Sequence, residues 1–145
     1  RNRGSSLGQV CGISGNDSRV CFSAPLAKLL EGADRGTVYV RVDYTDKSGR
    51  VYHNNYCLDK QKNMNYPKVD LQTEVRSIEG GYEVTVSTDK FARAVCLSVA
   101  DNESVYSDNY FDVQPKSSVQ VQVRTRLSAE AFNASLRLTC LNNEF

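Results

Sequence analysis

Apolar residues return at every second position in one short run after another, and that period leaves few folds open. In residues 37–44, Val38, Val40 and Val42 alternate with Tyr39, Arg41 and Asp43. Val69, Leu71, Thr73 and Val75 form another row, as do Tyr82, Val84 and Val86, then Val119, Val121 and Val123, and finally Leu136, Leu138 and Cys140. Successive strand side chains point to opposite faces, so each row turns one face inward and one to water, as in an antiparallel sheet. Val95, Leu97 and Val99 repeat the pattern with small Ala94 and Cys96 between them, so this strand reads as covered on both faces. Asp46-Lys47-Ser48-Gly49 and Glu79-Gly80-Gly81 are turn signals between strands. Pro67 and Pro115 fall at strand edges, where a missing N–H matters little. Helix is confined to a turn or two at Ala24–Leu30 and at Ala129–Phe132. The pattern predicts an all-β chain, a β-sandwich, with Val69, Leu71, Val84, Val86, Val95, Leu97, Val119, Val121, Leu136 and Leu138 inward.

A boundary is expected near Asp59–Pro67, a polar stretch ending in proline that reads as a linker. The charge changes sign there. Residues 1–66 hold 10 Lys/Arg against 6 Asp/Glu, a net +4, and residues 67–145 hold 8 against 11, a net −3. The second part carries six strand candidates, close to a complete immunoglobulin-like antiparallel sandwich. The first carries three or four, opens on a flexible start at residues 1–9, and reads as part of a second β-sandwich domain.

Composition removes several function classes. Lys plus Arg is 18 and Asp plus Glu is 17, a net charge of +1, so no basic excess favours nucleic acid. No apolar run approaches the ~18 residues of a membrane helix, so no membrane partner is expected either. One histidine and no tryptophan supply no His pair for a zinc site or relay. Cys11, Cys21, Cys57, Cys96 and Cys140 form no C-x-x-C and read chiefly as small packing residues; one disulfide, for example Cys11 with Cys21, is compatible with the sequence but not singled out by it. The cellular address is not legible from a chain that starts at Arg1.

The second part then becomes specific. Phe91-Ala92-Arg93 opens a strand, and Ser107-Asp108-Asn109-Tyr110-Phe111-Asp112 with Gln114-Pro115 follows it. This arrangement resembles the C-terminal immunoglobulin-like domain of β-mannosidases, family-2 glycoside hydrolases, in which an S-D-N-Y/F-F-D-L-x-P-G-E stretch follows a strand beginning F-A-R. The run from His53 to Pro67 resembles the junction with the penultimate sandwich domain. The resemblance covers residues 37–145 and is strongest over 82–123. It implies that residues 1–66 are the C-terminal part of that penultimate domain and 67–145 the last domain. The family's Gly-Glu after the proline is Lys116-Ser117 here, which puts the turn at that point in doubt. The family's two catalytic glutamates belong to a separate (β/α)₈ barrel that matches no segment of this chain, so no catalytic residue is carried over.

The motif residues Phe91, Arg93, Asp108, Asn109, Tyr110, Phe111 and Pro115 therefore read as structural. Asp108 and Asn109 are expected to cap nearby backbone groups. Tyr110 and Phe111 point to opposite faces of an extended segment, and Phe111, with no hydroxyl to satisfy, is the one expected to be buried. Asp101, Glu103, Asp108 and Asp112 are the local carboxylate cluster, but they lack the spacing of a calcium loop and read as a turn-rich connection. His53 lies in an alternating run and reads as a strand residue rather than part of a triad. Tyr39, Tyr44, Tyr52, Tyr56 and Tyr66 would make a carbohydrate platform if exposed as a row, though strand propensity alone explains them. Three N-x-S sequons, at Asn16, Asn102 and Asn133, matter only in a eukaryotic secretory setting.

The reading is a non-catalytic accessory region of a β-mannosidase-like glycoside hydrolase, not itself an enzyme, from a parent that removes terminal β-mannosides. Its expected partners are the parent's barrel and neighbouring sandwich domains, with carbohydrate as a further partner and no cofactor or metal. Periplasmic, secreted and lysosomal settings all fit such a parent. The rivals are a carbohydrate-binding module and an adhesin-type interaction domain sharing only the fold. An exposed planar aromatic row favours the module, and an apolar patch beside a broken sheet favours the accessory region.

Overall fold

The computed structural model describes residues 8–144; part of the expected flexible start, residues 1–7, lies outside them. Nine strands and two short helices follow in chain order. The helix α1 is Leu26–Leu30, and the strands β1 Tyr39–Thr45 and β2 Val51–Cys57 form a two-stranded ribbon. The other strands are β3 Gln72–Ile78, β4 Gly81–Thr88, β5 Ala92–Ser98, β6 Val105–Tyr106, β7 Phe111–Val113, β8 Ser117–Arg124 and β9 Arg137–Thr139, with helix α2 Ala129–Ser135 between β8 and β9. One sheet runs β3-β4-β8-β6 and the other β7-β5-β9, with every pairing antiparallel. The expected all-β sandwich is thus present. Its second part has seven strands rather than six, and the first part has two among the described residues rather than three or four.

Alternation decides what lies between the sheets. Val84, Val86, Val121 and Val123 project from one sheet, and Val95, Leu97, Phe111 and Val113 from the other; all are buried. Each such side chain contributes on the order of 1.5–3 kcal/mol through removal from water. The rest of the expected inward set joins them, with Leu71, Val119, Leu136 and Leu138 half-buried against the same core. Phe132 of α2 closes one end, its ring stacked on Tyr82 at 4.1 Å between centroids. Ser128 caps that helix, its hydroxyl accepting from the Ala131 N–H at 3.2 Å. The β3–β4 turn needs glycine twice over. Gly80 has φ +76°, and a Cβ on Gly81 would lie 2.0 Å from the Val123 carbonyl oxygen.

Two backbone features set up the junction described below. Between β5 and β7 the register passes from Ala92↔Val113 to Val95↔Phe111, so Arg93 and Ala94 oppose Asp112 alone in a bulge, and Ala94 takes φ +50°. At the turn into β8, Lys116 takes φ +58° directly after Pro115, and the Ser117 N–H reaches the Gln114 carbonyl at 3.1 Å. This is the left-handed conformation that glycine adopts freely, at the position where the resembling family has glycine.

The ribbon corrects one expectation. Its pairing is unbroken from Tyr39↔Cys57 to Thr45↔Val51, and Asp46 holds its turn by accepting from the Ser48 N–H and hydroxyl and the Arg50 N–H. Yet Val42 is 58% exposed, and Tyr44, Tyr52 and Tyr56 on the same face are exposed too, so the apolar face that alternation turns inward is open to water. Two strands alone have no second layer to pack against. The expected linker is also tied down. Asp59 accepts from the Asn63 side-chain amide and the Lys60 N–H, which hold its carboxyl below the ordinary range, and the Asn65 N–H reaches the Gly36 carbonyl at 2.7 Å. Cys11 and Cys21 form a disulfide, while Cys57, Cys96 and Cys140 are free thiols, Cys140 deeply buried as a packing residue.

Candidate docking junction

The end of the ribbon nearest its chain termini meets the sandwich at Phe91, the first residue of the motif stretch. Phe91 is buried; Tyr39 of β1 stacks on it at 4.1 Å and 16°, and Tyr66 lies tilted 6.5 Å away. Offset aromatic pairs of this kind are worth about 0.5–1.5 kcal/mol beyond their area. Beside the rings runs a hydrogen-bonded chain. The Tyr39 hydroxyl donates to Gln114 Oε1 at 2.8 Å, Gln114 Nε2 to Asn55 Oδ1 at 3.2 Å, and Asn55 Nδ2 to Asp112 Oδ2 at 2.7 Å. Arg93 pairs with the same Asp112 oxygen, and the Ala94 N–H donates to its other oxygen at 3.0 Å.

The bulge explains this convergence. Two residues opposing one aim both the Arg93 side chain and the Ala94 N–H at a single carboxylate, and that carboxylate then receives Asn55 from the ribbon. Burial alone would weaken the Arg93 cation, but the charge and hydrogen bond of Asp112, with Cys57 and Tyr66 adding to them, together outweigh it and raise the guanidinium's already high pKa. Burial pushes the Tyr39 phenol up, with Asp112 adding to it against Arg41. Burial and Cys57 push the Tyr66 phenol up likewise; Tyr66 donates to Gln61 and sits 3.2 Å from the Cys57 sulfur. The arrangement docks one element on another. Among the described residues no group of three His, Cys, Asp or Glu side chains is placed to hold a metal.

The motif residues divide between this junction and the sandwich interior. Phe91 and Arg93 belong to the junction. Phe111 is buried at 9% exposure, while Tyr110, at φ +61°, is 71% exposed. Asn109 does more than cap a turn. Its Oδ1 accepts from the Leu97 N–H at 2.8 Å and its Nδ2 donates to the Leu97 carbonyl at 2.9 Å, so the side chain stands in for a paired strand residue beside β5. Asp108 bonds only the N–H of Asn109 and is exposed. Pro115 is half-buried and opens the turn into β8.

Two carboxylates of the local cluster, Asp101 and Asp112, serve different parts of the fold. Asp101 accepts from the Glu103 and Ser104 N–H groups and from Thr125, whereas Asp112 belongs to the junction. His53 pairs in register with Asp43 on the exposed ribbon. The tyrosine row splits as well, with Tyr39 and Tyr66 in the junction and Tyr44, Tyr52 and Tyr56 exposed.

One residue that ties the junction to the chain end gave little warning in the sequence. Asn142, 2% exposed, donates to the Pro67 and Phe91 carbonyls at 2.8 Å each and accepts from the Arg93 N–H at 2.8 Å. Asn143 bonds both backbone groups of Val69. The only sequence signal is a pair of asparagines directly after an apolar strand row.

Two antiparallel sheets of four and three strands around one valine-rich core define an immunoglobulin-like fold. The chain belongs to the Ig_mannosidase family, an Ig-fold domain: the family's model matches residues 65–144, more than half of the sequence. No curated protein matches the chain.

Proposed function

We propose that this chain is a non-catalytic accessory region of a β-mannosidase-like glycoside hydrolase acting on terminal β-mannosides. Residues 67–145 serve as its last domain, and residues 1–66 belong to the C-terminal part of the sandwich domain before it. The work is mechanical. The sandwich holds the ribbon through Phe91, Arg93 and Asp112, and the ribbon presents its uncovered face to the rest of the parent, whose separate barrel carries the chemistry. Family membership supports the parent's class, and the observation that carries the accessory role is the unfinished ribbon. It is bonded to the sandwich at one end, and further along Val42, Tyr44 and Tyr52 lie open to water on one face. A patch of that kind marks a contact surface.

The test is turnover of an aryl β-mannoside. The purified chain is expected to show none, while a barrel-containing parent should lose stability when residues 67–145 are deleted. Turnover by the isolated chain, abolished by substitution of one of its own carboxyls, would contradict the reading.

A further inference from the structure

Next to the junction lies a cleft of about 380 Å³ whose purpose docking does not explain. Three rings, Tyr39, Tyr66 and Phe91, line it, and Asn65, Asp89 and Lys90 are among its polar residues. The two phenol hydroxyls are already engaged by Gln114 and Gln61, so what the tyrosines have left to offer is ring carbon. The polar groups are differently placed. Neither the Asp89 carboxylate nor the Asn65 side-chain amide makes a hydrogen bond among the described residues. Among the described residues the Lys90 ammonium makes a single one, to the Lys68 carbonyl at 3.2 Å, and keeps donors to spare.

We propose that this cleft binds one neutral hexopyranose. Adjacent Asp89 and Lys90 oppose each other in charge, so an anionic or cationic ligand would meet a like charge as well as an opposite one. A neutral polyol instead meets a carboxylate that accepts from its hydroxyls and an ammonium that donates to them. A pyranose ring also has an apolar face of axial C–H groups, which suits an aromatic wall, and it fits the volume. The exposed ribbon face offers less, since Arg50 lies over the Tyr52 ring at 5.1 Å and Asp46 is already engaged by Ser48, the Arg50 N–H and the Tyr52 hydroxyl. A shallow site for so few atoms binds weakly, in the millimolar range. The inference does not depend on the parent's activity, because binding is read on this chain alone.

The experiment is a ¹H–¹⁵N NMR titration of the chain with methyl β-mannoside, methyl β-glucoside and open-chain mannitol. At least one pyranoside is expected to give saturable shifts confined to residues 36–39, 64–67 and 89–91, with mannitol at least about tenfold weaker for want of a ring face. Asp89→Ala and Asn65→Ala, both at exposed positions, should keep the wild-type melting temperature and weaken pyranoside binding about tenfold. Absence of saturable shifts would overturn the proposal. So would shifts centred on Tyr44 and Tyr52, equal binding of mannitol, or affinity unchanged in both variants.

Discussion

Val42 in the ribbon and Val84 in the sandwich obey the same alternation, yet one is 58% exposed and the other fully buried. The contrast extends across the molecule. Every buried hydrophobic side chain among the described residues lies between Val69 and Cys140. Of the eleven large hydrophobic side chains left exposed, nine lie before residue 58, from Val10 to Tyr56. Both regions contain well-formed antiparallel pairs, so hydrogen bonding does not separate them. A second layer does. The seven strands of the sandwich cover one another, whereas the two strands of the ribbon have only the Phe91 junction at one end. An isolated hairpin is at best marginally stable in water. The ribbon therefore draws its order from the junction and from whatever covers its open face.

The sharpest way to break this comparison is to remove equivalent groups from the two regions. Phe111→Ala in the sandwich should lower unfolding free energy by about 3–5 kcal/mol, and Leu97→Ala by about 2–5 kcal/mol, through the cavities left behind. Val42→Ala on the ribbon should change it by less than about 0.5 kcal/mol. Denaturant titration of the three variants checks this, and equal losses would mean that the ribbon face is covered in the isolated chain.

A second experiment separates the sandwich's own stability from that of the junction. Asn142→Ala leaves the Pro67 and Phe91 carbonyls and the Arg93 N–H without their partner and should cost about 2–4 kcal/mol. Because Arg93 and Phe91 also form the junction, the same variant should loosen the ribbon, which would show as sharpened and shifted NMR signals over residues 39–57. Loss of stability with an unchanged ribbon would mean that Asn142 serves only the sandwich.

Smaller effects refine the motif. Asn109→Ala should cost about 1–2 kcal/mol, since both Leu97 backbone groups lose their partner. Asp108→Ala should stay within about 0.5 kcal/mol, because its one bond is exposed. Thermal unfolding of the pair distinguishes them. Lys116→Gly should raise stability by about 0.5–1 kcal/mol, because glycine relieves the left-handed backbone there but loses more conformational freedom on folding. A lower melting temperature for that variant would show that the turn is not strained.

The sequence made parts of this plain and hid others for physical reasons. The rows Val84–Val86 and Val119–Val123 announce core strands because a period of two needs no knowledge of the rest of the fold. The same period in residues 38–42 misled, since alternation marks a strand but not what lies over it. β6, two residues long, and β7, three, are too short to show any period. Asn109 and Asp108 look alike as turn formers, and only the closeness of Leu97 makes one of them a strand mimic. Asn142 acts on Pro67, Phe91 and Arg93, which are 75, 51 and 49 residues away in sequence, so no local pattern could expose it. The junction was half legible. Phe91 and Arg93 stood out by resemblance, but Asn55 and Gln114 acquire their roles only when the bulge gathers them at Asp112.

The central claim is that the sandwich stands by itself while the ribbon awaits a cover, and native-state hydrogen exchange on the isolated chain tests it most directly. Amides of β4, β5 and β8 should exchange only through global unfolding. Those of β1 and β2 beyond the Tyr39–Cys57 pair should exchange through local opening, orders of magnitude faster. Ribbon amides as protected as those of β4 and β8 would contradict the account.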